Sequence, residues 1–247
     1  MPGAPRAPAL EASWPRGTQV KTIDPLGSCW FDLFLMDKIG FISIPSYDQC
    51  LALMEIHAML PNIRAHSFRV MQVARYLGEA LVAAGFELQL PLVTAGALLH
   101  DLGKTACLGT PNNHAEWGAD ILEDLGFAHV AQVVREHVYL DQRTADPRPL
   151  REAEIVNYAD KRVLHENVVT LEARFADIKV RYGRTPEILA RIQANEANSR
   201  ILEVKLFTSL TFEPVNLLHL NHAGRESWEN CASPSLPEAN LRSGRSR

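Results

Sequence analysis

The chain has 247 residues, of which 47% are apolar and 22% charged, and this balance is typical of one soluble domain with tails. It excludes collagen-like, coiled-coil and wholly disordered chains. The formal net charge of -4 does not favour a nucleic acid polymer as a partner. No run reaches the roughly 18 apolar residues that span a bilayer, so we expect no membrane partner. Four widely spaced cysteines predict free thiols and a cytoplasmic location: Cys29, Cys50, Cys107 and Cys231.

Three regions follow one another along the sequence. Residues 1–43 carry prolines but no continuous apolar core, which predicts a partly flexible arm, although the pattern leaves open a helix or strand over 31–44. Residues 44–210 hold apolar segments at helical spacing, separated by turn signals, and predict an all-α domain. Residues 211–247 lose this periodicity and are predicted to form a disordered tail. The predicted helices are 47–60, 64–84, 92–101, 114–125, 128–139, 150–166, 171–182 and 186–207.

Six ionisable side chains occupy positions that the helical pattern assigns to the core. The third predicted helix, for example, is apolar nearly all round and ends on His100 and Asp101. Buried imidazole and carboxylate groups are costly unless they bind a partner or a cation. One such histidine alone is more often an ordinary core residue, but the joint pattern favours a metal site. The set is His66, His100, Asp101, His114, His137 and Asp160.

Other motifs with similar residues do not fit. The segment Gly103-Lys104-Thr105 resembles the end of a phosphate-binding loop, but Leu98 stands where that loop needs glycine. His114 and Glu116 match half of a zinc deaminase signature whose cysteine pair is missing. His129 and His165 lie on polar or mixed faces, so we expect them at the surface.

The order of these residues resembles the HD domain superfamily of metal-dependent phosphohydrolases, of HD or HDIG type. The run 98–104, Leu-Leu-His-Asp-Leu-Gly-Lys, looks like the central signature of that family, and 155–161 looks like the helix that carries its last ligand. The resemblance implies a helical bundle of about seven to eight helices. It implies that His66, His100, Asp101 and Asp160 hold one metal. Asp101 would bridge to a second metal, held also by His114 and His137.

The resemblance also implies a chemistry. Two divalent metals per chain, with iron or manganese favoured and zinc or cobalt also fitting, would activate water to hydrolyse a phosphoester or pyrophosphate bond. The expected substrate is a small nucleotide or dinucleotide, with Asp101 and Lys104 catalytic and Lys104 and Arg162 binding phosphate. Three alternatives stay open: one metal with His114 and His137 contacting substrate, a di-iron oxygenase of the same fold, or a non-catalytic helical domain. The sequence leaves open whether the chain forms a homo-oligomer.

Overall fold

The structure is a computed structural model that describes residues 43–140 and 149–222. Within these ranges the chain forms nine α-helices, a two-stranded hairpin and a 3-10 helix, so the predicted all-α class is confirmed. The predicted arm, apart from residue 43, and tail residues 223–247 lie outside the described ranges. The helices are α1 (Tyr47–Ile56), α2 (Pro61–Ala83), α3 (Leu90–Leu99), α4 (Lys104–Cys107), α5 (His114–Asp124), α6 (Ala128–Arg135), α7 (Glu152–Lys161), α8 (Leu171–Tyr182) and α9 (Pro186–Phe207).

The helix starts follow from short polar or proline signals. Ser46 caps α1 in a reciprocal pair with Gln49, and the hydroxyls of Thr170 and Thr185 cap α8 and α9. Pro61 is the first residue of α2, although the predicted helix over this segment begins at residue 64. Its fixed φ and missing N–H suit the first turn of a helix, so α2 begins earlier than the predicted residue 64.

The core is organised around α3, which packs against α1, α2, α6 and α7. Its apolar residues from Leu92 onward are buried, and Leu98 and Leu99 are fully buried at its carboxyl end. The residues that follow α3 are therefore delivered to the centre of the domain. Among the described residues, no helix combines the length and hydropathy that crossing a membrane requires.

The segment after α7 differs from the prediction. The helix ends at Lys161, short of the predicted residue 166, and strands β1 (Val163–Leu164) and β2 (Asn167–Val168) form an antiparallel hairpin. His165 adopts a φ of 55° in the turn, a conformation that no helix continues through. Two residues per strand are too few to produce an alternating pattern, which is why the sequence did not indicate the hairpin.

The chain is also ordered beyond residue 210. A 3-10 helix covers Pro214–Asn221, and it buries Leu217 and Leu220, which lie on one face because this helix has three residues per turn. The side-chain amide of Asn221 bonds both the N–H and the carbonyl of Val168 in the hairpin, at 2.7 and 2.9 Å. The predicted disordered tail is therefore wrong for residues 211–222.

Candidate metal centre

The first group of predicted ligands comes from α2, the end of α3 and α7. His66 Nε2 lies 3.0 Å from Asp160 Oδ1, and His100 Nε2 lies 3.8 Å from the same oxygen. His100 Nε2 also lies 3.4 Å from Asp101 Oδ2. All four side chains are buried. One ligand atom from each of His66, His100 and Asp101 falls within 4.8 Å of the others, which is close enough to share one cation.

The second group shares Asp101 with the first. His114 is the first residue of α5, and His137 follows the end of α6. Their Nε2 atoms lie 3.4 and 3.7 Å from Asp101 Oδ1 and 3.2 Å from each other. The two oxygens of Asp101 therefore face different groups of imidazoles. His114 is the most open of the six, with 29% of its side chain exposed.

Main-chain carbonyl groups orient three of the imidazoles. The Nδ1 atoms of His100 and His137 each donate to the carbonyl three residues earlier, at 2.8 and 2.6 Å. His66 Nδ1 donates to the carbonyl of His165 at 2.9 Å. Because Nδ1 of each of these rings donates to a carbonyl, Nε2 is the atom that faces the centre, as in metal-binding histidines.

The donor set fits a divalent cation. His100 Nε2 is buried and has no hydrogen-bond partner within the described residues, although it faces the carboxylates of Asp101 and Asp160. The Nε2 atoms of His114 and His137 lie 3.2 Å apart and point at each other. Two ligands of one cation explain this arrangement better than a hydrogen-bonded pair does. A mixture of imidazole and carboxylate ligands suits iron, manganese, zinc or cobalt.

The two carboxylates are ionised in spite of their burial. Burial alone would raise the pKa of Asp101, but the charges of His100 and Lys104 outweigh it and hold that pKa well below its usual range. Burial opposes the ionisation of Asp160 in the same way, and here the ammonium of Lys161 leads the groups that hold the pKa well below normal. Both groups are therefore anionic ligands at neutral pH.

The imidazoles at the centre differ in protonation. Burial lowers the pKa of His137 well below normal, and the neighbouring charge of His100 lowers it further, so His137 is neutral and able to bind a metal. Burial acts on the pKa of His100 in the same direction, but the carboxylate of Asp101 and then that of Asp160 reverse the effect and raise it. A cation that binds His100 must therefore displace a proton.

Comparison with protein families agrees with this geometry. Residues 63–163 match the family model of the HD domain. Residues 63–163 form an HD domain. The matched range contains the six predicted ligands, from His66 to Asp160. HD domain proteins are generally metal-dependent hydrolases that bind divalent metals, so the family and the donor set agree on the class of ligand.

Comparisons with individual proteins and with solved structures do not identify an activity. The chain is similar to the uncharacterized protein MJ0778 of Methanocaldococcus jannaschii, with 27% identity over 155 residues, which cover 58% of this chain and 90% of that protein. No solved structure matches the chain significantly. The function of the HD domain here is therefore argued from its site.

Two residues that the sequence did not single out support the ligands. The buried ammonium of Lys161 donates to Asp160 Oδ2 at 2.8 Å and to the carbonyl of His137 at 2.9 Å. The side-chain amide of Asn157 donates to the same carbonyl at 3.0 Å. The sequence signal for this role was the presence of polar residues among the apolar residues of this buried segment of α7.

The two predicted phosphate-binding residues lie in different places. Lys104 Nζ is 2.7 Å from Asp101 Oδ2, and 35% of its side chain is exposed, so it lies between the ligands and the solvent. Arg162 is 1% exposed, and its guanidinium donates to the carbonyls of Val169 and Pro214 and to the hydroxyl of Tyr158. A substrate-binding role for Arg162 stays a prediction that these bonds do not favour, because they place its side chain in the packing between α7, the hairpin and the 3-10 helix.

Two glycines of the HD domain bring α4 and α5 together beside the ligands. A Cβ atom on Gly103 would lie 2.5 Å from the carbonyl oxygen of His114 and 2.7 Å from the amide nitrogen of Gly118. Gly118 in turn leaves room for the backbone of Gly103, and this close contact lies next to Asp101 and His114 in the chain.

Proposed function

We propose that the protein is a metal-dependent phosphohydrolase that hydrolyses a phosphoester or pyrophosphate bond of a small nucleotide or dinucleotide. The observation that carries this proposal is that the two carboxylate oxygens of Asp101 face different imidazoles. Its Oδ2 faces His100, and its Oδ1 faces His114 and His137. A carboxylate shared in this way suits a bridge between two divalent cations. Two such cations, when bound, lower the pKa of a shared water and offset negative charge on phosphoryl oxygens.

Different side chains would bind the metals and the phosphoryl group. Asp101 and Asp160 supply anionic oxygens, and the four imidazoles supply Nε2 atoms, of which that of His100 would lose a proton when it binds a cation. Burial lowers the pKa of Lys104, but the adjacent Asp101 carboxylate outweighs it and raises that pKa, so Lys104 stays protonated at neutral pH. Its ammonium is part-exposed beside the bridging carboxylate, where it would donate to a phosphoryl oxygen of the substrate and stabilise charge on the leaving group.

A small substrate fits the charge of the whole chain better than a polymer does. The net charge of -4 would oppose a nucleic acid backbone, whereas one phosphoryl group needs only local positive charge. The buried thiols of Cys50 and Cys107 are unpaired, which favours a cytoplasmic location. The proposal thus names a small phosphorylated substrate in a reducing compartment, with manganese or iron as the metal.

Metal analysis and a substrate panel test the proposal. The full chain is loaded with manganese or with iron, and its metal content is measured by mass spectrometry. The products formed from nucleoside mono-, di- and triphosphates and from dinucleotides are separated by chromatography, so that release of phosphate, pyrophosphate or a nucleotide is each detected. We expect His114→Ala to lower the metal content from about two ions per chain to about one, and to abolish hydrolysis of the substrate. His129→Ala is the matched control, because His129 is an exposed histidine on α6.

The other outcomes identify the alternatives. If the wild-type chain and His114→Ala both hold about one ion, and the variant loses turnover, the site binds one metal and His114 contacts the substrate. Oxygen uptake by the iron-loaded protein, absent with manganese and without phosphate release, would indicate a di-iron oxygenase. A melting temperature that rises with metal, without turnover of any phosphoester, would indicate a structural site and refute the hydrolase.

A further inference from the structure

Arg174, on α8, places a guanidinium beside the candidate metal centre. Its NH2 lies 3.8 Å from Asp160 Oδ1 and its NH1 lies 3.6 Å from Asp177 Oδ2. Both separations are longer than a hydrogen bond. The Nε atom is buried and has no hydrogen-bond partner in the described part of the chain. Arg174 thus carries donors that the folded protein leaves without good acceptors.

Both neighbouring carboxylates have closer partners than Arg174. Asp160 accepts from Lys161 at 2.8 Å through Oδ2 and lies 3.0 Å from His66 Nε2 through Oδ1. Asp177 Oδ2 accepts from two nitrogens of Arg181, at 2.8 and 2.6 Å. The guanidinium of Arg174 is therefore not needed to satisfy either acid.

The side chain of Arg174 is only 13% exposed, so water also cannot solvate it fully. A cation in this state gains from an anion that supplies acceptor oxygens. Guanidinium binds phosphate well because its planar fork matches two phosphoryl oxygens. Metal ions bound next to Asp160 would add positive charge, which increases the attraction for an anion there.

The position of Arg174 complements that of Lys104. Lys104 Nζ contacts the carboxylate of Asp101, and Arg174 lies beside that of Asp160, so the two basic groups flank different members of the ligand set. We propose that Arg174 binds a phosphoryl oxygen of the substrate on the Asp160 side of the centre. This inference rests on the proposed function and adds a specific anion-binding residue to it.

Calorimetric titration of the manganese-loaded full chain with inorganic phosphate tests the role of Arg174. We expect Arg174→Met to weaken phosphate binding by about 10- to 100-fold, the range for loss of charged hydrogen bonds, with unchanged manganese content. Arg174→Lys, which keeps the charge but loses the fork, should recover part of the affinity. Arg191→Met is the control, because it removes one positive charge from the exposed Arg191 of α9.

The outcomes separate this inference from the proposed function. Equal phosphate affinity in Arg174→Met and the wild-type chain overturns it, as does a wild-type chain that binds no phosphate. A loss of affinity that accompanies a loss of manganese also overturns it, because Arg174 would then only position Asp160. Phosphate binding through Arg174 without turnover of any phosphoester would instead support the anion site and refute the hydrolase.

Discussion

Replacing Gly103 by alanine tests whether backbone contact between α4 and α5 sets the geometry of the second ligand group. Gly103 has φ -77° and ψ -9°, which alanine adopts freely, so the effect comes from contact alone. The new Cβ would lie 2.5 Å from His114 O and 2.7 Å from Gly118 N. Both atoms belong to the backbone of α5, which must move as a unit to relieve the clash.

The required movement is large for a metal site. To reach an ordinary contact of 3.4 Å from 2.5 Å, α5 must shift by about 0.9 Å. His114, the first residue of that helix, moves with it, whereas ligand distances tolerate only about 0.2 Å. Overpacking costs about 1–3 kcal/mol of unfolding free energy, of which about 0.4–1 kcal/mol is offset by the loss of glycine flexibility in the unfolded chain.

The assay measures manganese per folded chain and the melting temperature. We expect Gly103→Ala to fall from about two ions to about one, with a melting temperature lower by about 2–4 °C per kcal/mol lost. Gly78→Ala is the matched control, because its Cβ meets at 2.9 Å only the flexible end of Leu90, away from the predicted ligands. If Gly103→Ala keeps the wild-type metal content and melting temperature, the reasoning about close contact is wrong.

Three further substitutions test other parts of the domain. Lys161→Met removes the donor shared by Asp160 and the His137 carbonyl, and should weaken manganese binding about 10- to 100-fold in a competition titration. Arg162→Met leaves buried acceptors without a donor and should lower the unfolding free energy in urea by about 2–4 kcal/mol, with unchanged metal content. Arg135→Ala removes three ion pairs that join α6 to α5 and should cost about 0.5–1.5 kcal/mol, less at high salt.

A specific result would contradict each of these three predictions. Lys179→Met is the control for the Lys161 variant, because Lys179 pairs with Glu196 on the surface of α8 and α9. Equal manganese affinity in the two variants would refute the bridging role of Lys161. If Arg162→Met is as stable as the wild-type chain but has a raised KM for a phosphoester, Arg162 binds the substrate. A loss of stability in Arg135→Ala that is the same at low and high salt would show that its ion pairs do not act through charge.

The sequence predicted the parts of the site that depend on helical periodicity. An imidazole on an apolar stripe, such as His66, is visible because side chains one turn apart share a face. The central burial of His100 and Asp101 was visible for the same reason, since α3 is apolar all round. The structure brings all six predicted ligands together.

The rest depended on contacts that periodicity does not encode. Arg162 follows the helix of Asp160 and looked like a candidate for the site, but the turn after α7 directs it into the core instead. Leu217 and Leu220 pack through a 3-10 helix, whose period differs from that of an α-helix. Arg174 was missed because its role depends on α8 passing beside Asp160, a tertiary contact that no local pattern reports.

The hydrogen bond from His66 to the carbonyl of His165 affects how this site tolerates mutation. Because His66 bonds to the main chain of the hairpin and not to a side chain, exchange of the exposed imidazole at 165 leaves that acceptor in place. The same holds for the carbonyls that orient His100 and His137. The orientation of these three rings therefore depends on the path of the main chain at residues 97, 134 and 165, and not on a hydrogen bond from any side chain there.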